Sequence, residues 1–402
     1  MDSDIGRRIR EIRSWRQLTL REAGPLAGIT HGYLGKIERG EEPLNSRHVL
    51  ENLCRALGVA PTDITGAPYA PSDPVGAEAH AALRDVEVAL SSYDLGVDPG
   101  VQAQPWPQLA ARIDHLNTVL RPAADYAEQG KVVPDLLEQL HAAYVQKPKH
   151  RRAILIGLLH LFHSATVITK GLGSKGYPVM AARAAEHVAG ELGESDWIGF
   201  AAWLRGHALG STGRAAQYAL SVRTVDEIAG GLDSPDVLQA AGMLHLNAAL
   251  ASAAKRDADM ASTHLDEAEA LAARLPEGSP VFAMLHFGAD NVRMWRVSIG
   301  VEMGEPGRAV ELSRGVRPDA VPAKARQGMY LADVGRALIA DRRTRDEGVA
   351  ALIKAEEVAP QRIRNNLFAR EAVAGLLHNA RRDAVGRELR GLAWRMGVAP
   401  TG

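Results

Sequence analysis

Apolar residues in this chain recur at three- and four-residue intervals almost from end to end, the spacing that lines one face of an α-helix. Ile5, Ile9 and Ile12 open the pattern and predict a first helix that buries one stripe and exposes its arginines. Gln17-Leu18 breaks the period, and Thr19 is placed to cap a second short helix over residues 20–27. Gly28-Ile29 makes a turn. Thr30 caps a third helix carrying Tyr33, Leu34 and Ile37, and Gly40 stops it. A fourth helix, roughly 46–57, buries Val49, Leu50, Leu53, Cys54 and Leu57. Short helices in this order, with glycine between the second and third, are the helix-turn-helix layout.

Residues 61–76 hold Pro61, Pro68, Pro71 and Pro74 without an apolar period and predict an extended linker. The domain boundary falls there, between a helix-turn-helix over 1–60 and a helical body over 77–402. In the body the helical period predicts helices at 77–92, 107–128, 134–146, 150–169, 177–192, 195–210, 214–229, 235–254 and 258–274. More follow at 279–302, 306–315, 320–340, 346–358, 361–379 and 382–396. Short Gly, Pro or Asp punctuation separates them, and no strand-type alternation appears. The expectation is an all-α protein in which antiparallel helix pairs stack into an α-solenoid with a concave face. Small residues at Ala181, Ala215, Ala261, Ala309 and Ala350 recur at steps of 34, 46, 48 and 41, near or above the tetratricopeptide period.

Composition narrows this without redirecting it. Of 402 residues, 46% are hydrophobic and 24% charged, values typical of a globular protein. The most apolar run, 153–162, is too short to span a bilayer, and the acidic, arginine-rich N-terminus does not resemble a signal peptide. A lone cysteine, Cys54, excludes an internal disulfide framework and suits a reducing compartment, so a cytoplasmic protein is expected. Net charge is −1, yet residues 1–40 carry eight basic against five acidic side chains, the balance of a small DNA-reading head.

The N-terminal stretch IGRRIREIRSWRQLTL…LAGITHGYLGKIERGEEP…LENLCRALGV resembles the lambda-repressor/Cro-like (XRE) family over residues 5–60. Turn glycine, cap, apolar core and terminal glycine are all in register at Gly28, Ile29, Thr30, Tyr33, Leu34, Ile37, Glu38 and Gly40. The resemblance implies double-stranded DNA as partner, the third helix in the major groove and binding as a homodimer. It assigns Thr30, His31, Gly32, Tyr33, Lys36 and Arg39 to the reading helix and Arg21 to the helix before it. Asn45 and Arg47 are placed where the following loop meets phosphate. Tyr33 reads either as a core contact or as a phosphate ligand. Leu20, where the family usually has a phosphate-binding Gln, together with Ala23-Gly24 and Pro25 departs from the family pattern. Those departures also fit a rival reading, an interaction adaptor whose helix-turn-helix no longer holds DNA.

The body is similar to tetratricopeptide-like domains. The whole chain resembles actinobacterial XRE regulators with large helical C-terminal domains and, more distantly, the peptide-sensing RRNPP regulators. The resemblance implies a sensor that takes a peptide, small-molecule or protein effector, with Asn247, Asn291, Arg293, Trp295 and Tyr330 as groove candidates beside His245 and Arg296. Ordinary inter-helix hydrogen bonding explains the same residues. His160 and His163 share a helix face, but their Leu-rich setting favours core histidines over a metal site. No nucleophile, phosphate-loop or zinc motif is complete, so neither an enzyme nor a bound cofactor is expected.

Overall fold

The computed structural model describes residues 4–67, 69, 74–210, 213–379 and 386–398. Among them are 21 α-helices and no strand. The first four, α1 (Asp4–Trp15), α2 (Leu20–Leu26), α3 (His31–Glu38) and α4 (Arg47–Leu57), follow the apolar pattern. Thr19 caps α2 in a capping box with Glu22, and the Thr30 hydroxyl accepts the Tyr33 amide at the start of α3. Gly28 takes the turn between them at φ 66°, a conformation that favours glycine.

The linker begins later than the prolines suggest. Residues Pro61–Thr65 form α5, with Pro61 in the first turn, where a missing N–H is tolerated. Ile64 is fully buried in one core with Ile5, Ile9, Leu34, Leu53 and Leu57, and Arg8 donates to the Thr65 carbonyl at 3.0 Å. The N-terminal unit therefore runs to Thr65. Pro68 and Pro71 lie outside the described residues, and Pro74 opens the next helix.

The body comprises α6 (Pro74–Ser92), α7 (Trp106–His115), α8 (Tyr126–Gln146), α9 (Arg151–Gly171), α10 (Tyr177–Leu192) and α11 (Ser195–Ala208). It continues with α12 (Arg214–Ile228), α13 (Pro235–Ala254), α14 (Ala258–Ala273), α15 (Ala289–Met303) and α16 (Pro306–Ser313). Last come α17 (Lys324–Leu338), α18 (Arg345–Val358), α19 (Pro360–Arg364), α20 (Leu367–Asn379) and α21 (Arg387–Arg395). From α8 to α14 each helix packs on the next, as do α15 on α16, α16 on α17 and α17 on α18. The odd-numbered helices α9, α11, α13, α15 and α17 also pack on one another as an inner layer.

Three expected helices are broken. The span 107–128 becomes α7, a π-turn at 116–120 and a short loop, so that α8 starts at Tyr126 and runs on through Pro134. The span 279–302 is α-helical only from Ala289, with a single 3-10 turn at Phe282–Met284 ahead of it. Before it, Ala283, Met284 and His286 take left-handed φ values of 45°, 59° and 49°. The span 361–379 divides into α19 and α20, and 382–385 lie outside the described residues. Ala181, Ala261 and Ala309 are buried whereas Ala215 and Ala350 are exposed, so the alanine spacing does not mark one packing position.

The larger departure is global. Stacked helix pairs imply an open concave face, yet the end of the body folds back on its beginning. Ala332, Leu352, Ala359 and Ile363 share one core with Ala79, Leu83, Tyr126 and Ile168. The Gln361 side chain accepts the Ala127 amide at 3.2 Å, and the Lys324 amide donates to the Pro122 carbonyl at 2.9 Å. The helices thus close around an interior. Two of them, Pro148–Gly171 and Pro235–Ala254, are long and apolar enough to cross a membrane, beyond what the 153–162 run suggests. Their apolar windows are 72% and 89% buried within the body.

Candidate nucleic-acid interface and central cavity

Helix α3 is held from behind by charge. Glu38 is 2% exposed. Arg13 of α1 grips its two carboxylate oxygens at 2.7 and 2.8 Å, and Arg10 donates to its carbonyl at 3.0 Å. Bidentate guanidinium–carboxylate pairing fixes orientation as well as distance. Arg16 likewise donates to the Gly58 carbonyl at 3.1 Å and Arg7 pairs with Glu11. The arginines of α1 therefore work inside the domain more than on its surface. The basic excess also fades: over residues 1–65 the count is ten basic to nine acidic.

What α3 leaves outward is its N-terminal half. Arg21, Thr30, His31 and Gly32 are exposed, with open space where a Gly32 side chain would go. Lys36 and Arg39 are exposed too, but Lys36 lies 3.5 Å from Glu42 and Arg39 pairs with Glu41 at 2.7 Å. Tyr33 is half-buried, and burial, followed by the Glu42 charge, raises its hydroxyl pKa. The departures in α2 have local explanations. A Cβ on Gly24 would stand 2.9 Å from the His31 backbone nitrogen, so glycine lets α2 and α3 meet. Pro25 occupies the last turn of α2, exposed, and Leu20 packs on the domain core.

The loop after α3 does not face outward as the resemblance implied. It docks on the helical body. The Leu44 amide donates to Glu371 at 3.3 Å, the Asn45 carbonyl accepts from Arg336, and His48 Nδ1 lies 2.9 Å from the Ala254 carbonyl. Arg47 pairs with Glu302 at 2.5 Å while its backbone amide donates to the same carboxylate at 3.0 Å. Burial opposes the Glu302 charge, but Arg47 and Arg336 outweigh it and hold its pKa below the usual carboxylate range. Both guanidinium groups also lie 4.9 Å from the Phe368 ring centroid. Arg47 is thus an interdomain residue, and only the side chain of Asn45 remains exposed.

Inside the closed body is a cavity of about 260 Å³. Asn247, Asn291 and Trp295 line it, as the groove reading anticipates. Their polar groups are partly engaged: Asn247 donates to the Trp203 carbonyl at 2.9 Å, and Asn291 bonds the His286 carbonyl and Arg326. Arg293 and Tyr330 do not line it. Arg293 is exposed beside Asp290, and Tyr330 is buried in a separate cluster with its hydroxyl on the Ser313 carbonyl. Arg296 reaches outward to Asp266 and Glu269, and His245 meets His264. His160 and His163 both turn a ring nitrogen to Arg121.

Nothing in the local sequence pattern announces the cavity's charge. Arg47, Arg121, Lys170, Arg214, Arg326 and Arg362 line it, against the single carboxylate of Asp333, which pairs with Arg336 at 2.9 Å. Burial lowers the Arg121 pKa to about 9 and those of Arg214 and Arg326 to about 10. Lys170 is pushed well below the usual lysine value, first by burial and then by Arg362, Arg214 and Arg47. The only trace in the chain is that cations such as Arg121 and Lys170 interrupt otherwise apolar or small-residue stretches.

No curated protein and no solved structure matches the chain. Residues 4–65 match the family described as a helix-turn-helix domain, and the match ends at the last residue of α5. The N-terminal unit, closed by that short fifth helix, is a helix-turn-helix domain of the kind found in DNA-binding regulators.

Proposed function

We propose that the chain is a cytoplasmic transcriptional regulator in which α3 reads an operator and the tetratricopeptide-like body receives an effector. The observation that carries this is the open N-terminal half of α3. Arg21, Thr30, His31 and Gly32 stand exposed on and beside a helix locked in place by Arg13 and Glu38. Helix-turn-helix domains place that part of the reading helix against base edges, and they bind in pairs on half-sites one helical turn apart. The proposed active form is accordingly a homodimer, and no catalytic step is assigned to it. Lys36 and Arg39 contribute by exchanging exposed carboxylate partners for phosphate, an exchange that costs little because surface ion pairs are weak.

A shift assay on the DNA upstream of the chain's own coding sequence tests the reading. Wild type is expected to retain a specific fragment at modest salt, and the His31→Ala, Lys36→Ala double variant to lose it. Equal retention of unrelated DNA, or no retention by wild type, would sink the proposal.

A further inference from the structure

We propose that the central cavity is a receptor site for a small anion, a carboxylate or phosphate with an apolar portion, and that Arg47 of the helix-turn-helix domain is one of the groups that contact it. The charge in the cavity is the primary observation. None of Arg121, Lys170, Arg214 and Arg326 forms an ion pair with a carboxylate among the described residues. Glu302 and Glu51 act on Arg214, and Asp333 on Arg326, only from a distance, and Lys170 bonds only the His207 carbonyl. Arg47, Lys170, Arg214 and Arg362 are near enough to repel one another. Buried cations without a carboxylate in contact are costly. A protein that retains several in one cavity is arranged for a counter-charge that arrives from outside.

Donors are also left waiting. Arg214 is 5% exposed, and its Nε has no acceptor. The Trp203 and Trp295 indole nitrogens, the Ser164 hydroxyl and Arg326 Nη2 are likewise buried without partners on the cavity wall. These are donors for an acceptor-rich ligand. Trp203, Trp295, Met243, Leu250 and Leu285 supply the apolar surface that orients its remainder. One lip of the cavity, Met284 to His286, includes two of the left-handed non-glycine residues. Strain of that kind is retained where the surroundings enforce it, often at ligand clamps.

Arg47 gives occupancy a route to the DNA-binding domain. It is the first residue of α4, directly after the loop that follows the reading helix, and its guanidinium is shared between Glu302 and the cavity. An anion drawing on Arg47 competes with Glu302 and shifts α4 against the body, a differential contact of the sort that couples two sites. This regulatory consequence rests on the proposed DNA-binding role. The anion site does not.

Titration calorimetry on the full-length protein tests the site, with benzoate and phenyl phosphate as probes and benzamide as the neutral match. At least one anion is expected to bind saturably at millimolar concentration or below, with benzamide weaker by about tenfold or more. Lys170→Met should weaken anion binding by a similar factor while raising the unliganded Tm. Arg326→Met serves the same comparison should the first variant fail to fold. Hydrogen exchange across residues 44–50 should change on binding. No binding of either anion, equal binding of benzamide, or unchanged binding in a folded variant would each overturn the site. A Lys170→Met chain that loses stability as well as binding would mark the amine as structural, and unchanged exchange at 44–50 would remove Arg47. Anion binding by a chain that retains no DNA would leave the site standing and end the regulator reading; DNA retention without anion binding would do the reverse.

Discussion

At the scale of single residues, a missing Cβ decides how the cavity lip is held. A Cβ on Gly242 of α13 would lie 2.0 Å from the Phe287 ring, closer than any packing tolerates. Phe287 is 7% exposed and anchors the irregular segment before α15. Gly242→Ala must expel that ring or shift α13, and overpacking of this kind costs about 3 kcal/mol. Urea unfolding of the alanine variant measures it, and stability equal to the parent would show that Phe287 is not locked. Gly242 reads in the sequence as one more small residue in an alanine-rich helix, with nothing to mark it. The reading-helix residues were legible because cap, core and turn all lie within a dozen positions of each other. Arg47 was not, because its partner Glu302 is 255 residues away.

At the scale of elements, the junction of α2 and α3 makes opposite demands on two glycines. A Cβ on Gly32, in the first turn of α3, would meet nothing within 4 Å, so alanine there adds helix propensity without a clash. Gly32→Ala is expected to raise stability by roughly 0.5–1 kcal/mol. Gly24→Ala drives its Cβ into the His31 backbone and should cost about 2 kcal/mol. Thermal melting of both variants checks the pair, and a shift of the same sign in each would contradict the packing. Helix limits were readable at several glycine or proline stops: 177–192 and 235–254 are found where the pattern placed them. They failed at 279–302, where Phe287 needs a pocket on another helix and the backbone follows it. They failed again at 61–65, where Pro61 starts a helix and does not extend a linker.

At the scale of the whole molecule, closure of the body is a packing result that no local pattern carries. Gln361 reaches residues 234 and 235 positions earlier in the chain, and every residue of that contact looks ordinary in its own helix. Closure also buries histidines. Burial is the leading cause in each case: it lowers the His160 pKa to about 3 and those of His245 and His286 to about 4, with His163 and His207 well below the usual value. A base whose pKa is lower in the folded state binds fewer protons there than in the unfolded chain. The histidine contribution to stability is therefore complete above pH ~6.5 and falls as pH drops from there toward 3. Each such histidine removes up to about 1.4 kcal/mol per pH unit within that window. Glu302 and Glu356, held below the usual carboxylate range, contribute losses only at more acidic pH. Between pH 6.5 and 5 these five histidines titrate in the unfolded chain but not in the folded one, with buried Lys170 acting in the same direction, so unfolding free energy should decline steeply there while Arg–carboxylate pairs stay intact. Denaturant titrations across that interval measure the slope, and replacing His160 with Gln should make it shallower. A flat profile would mean that water reaches these rings and that the body is less closed than its packing indicates.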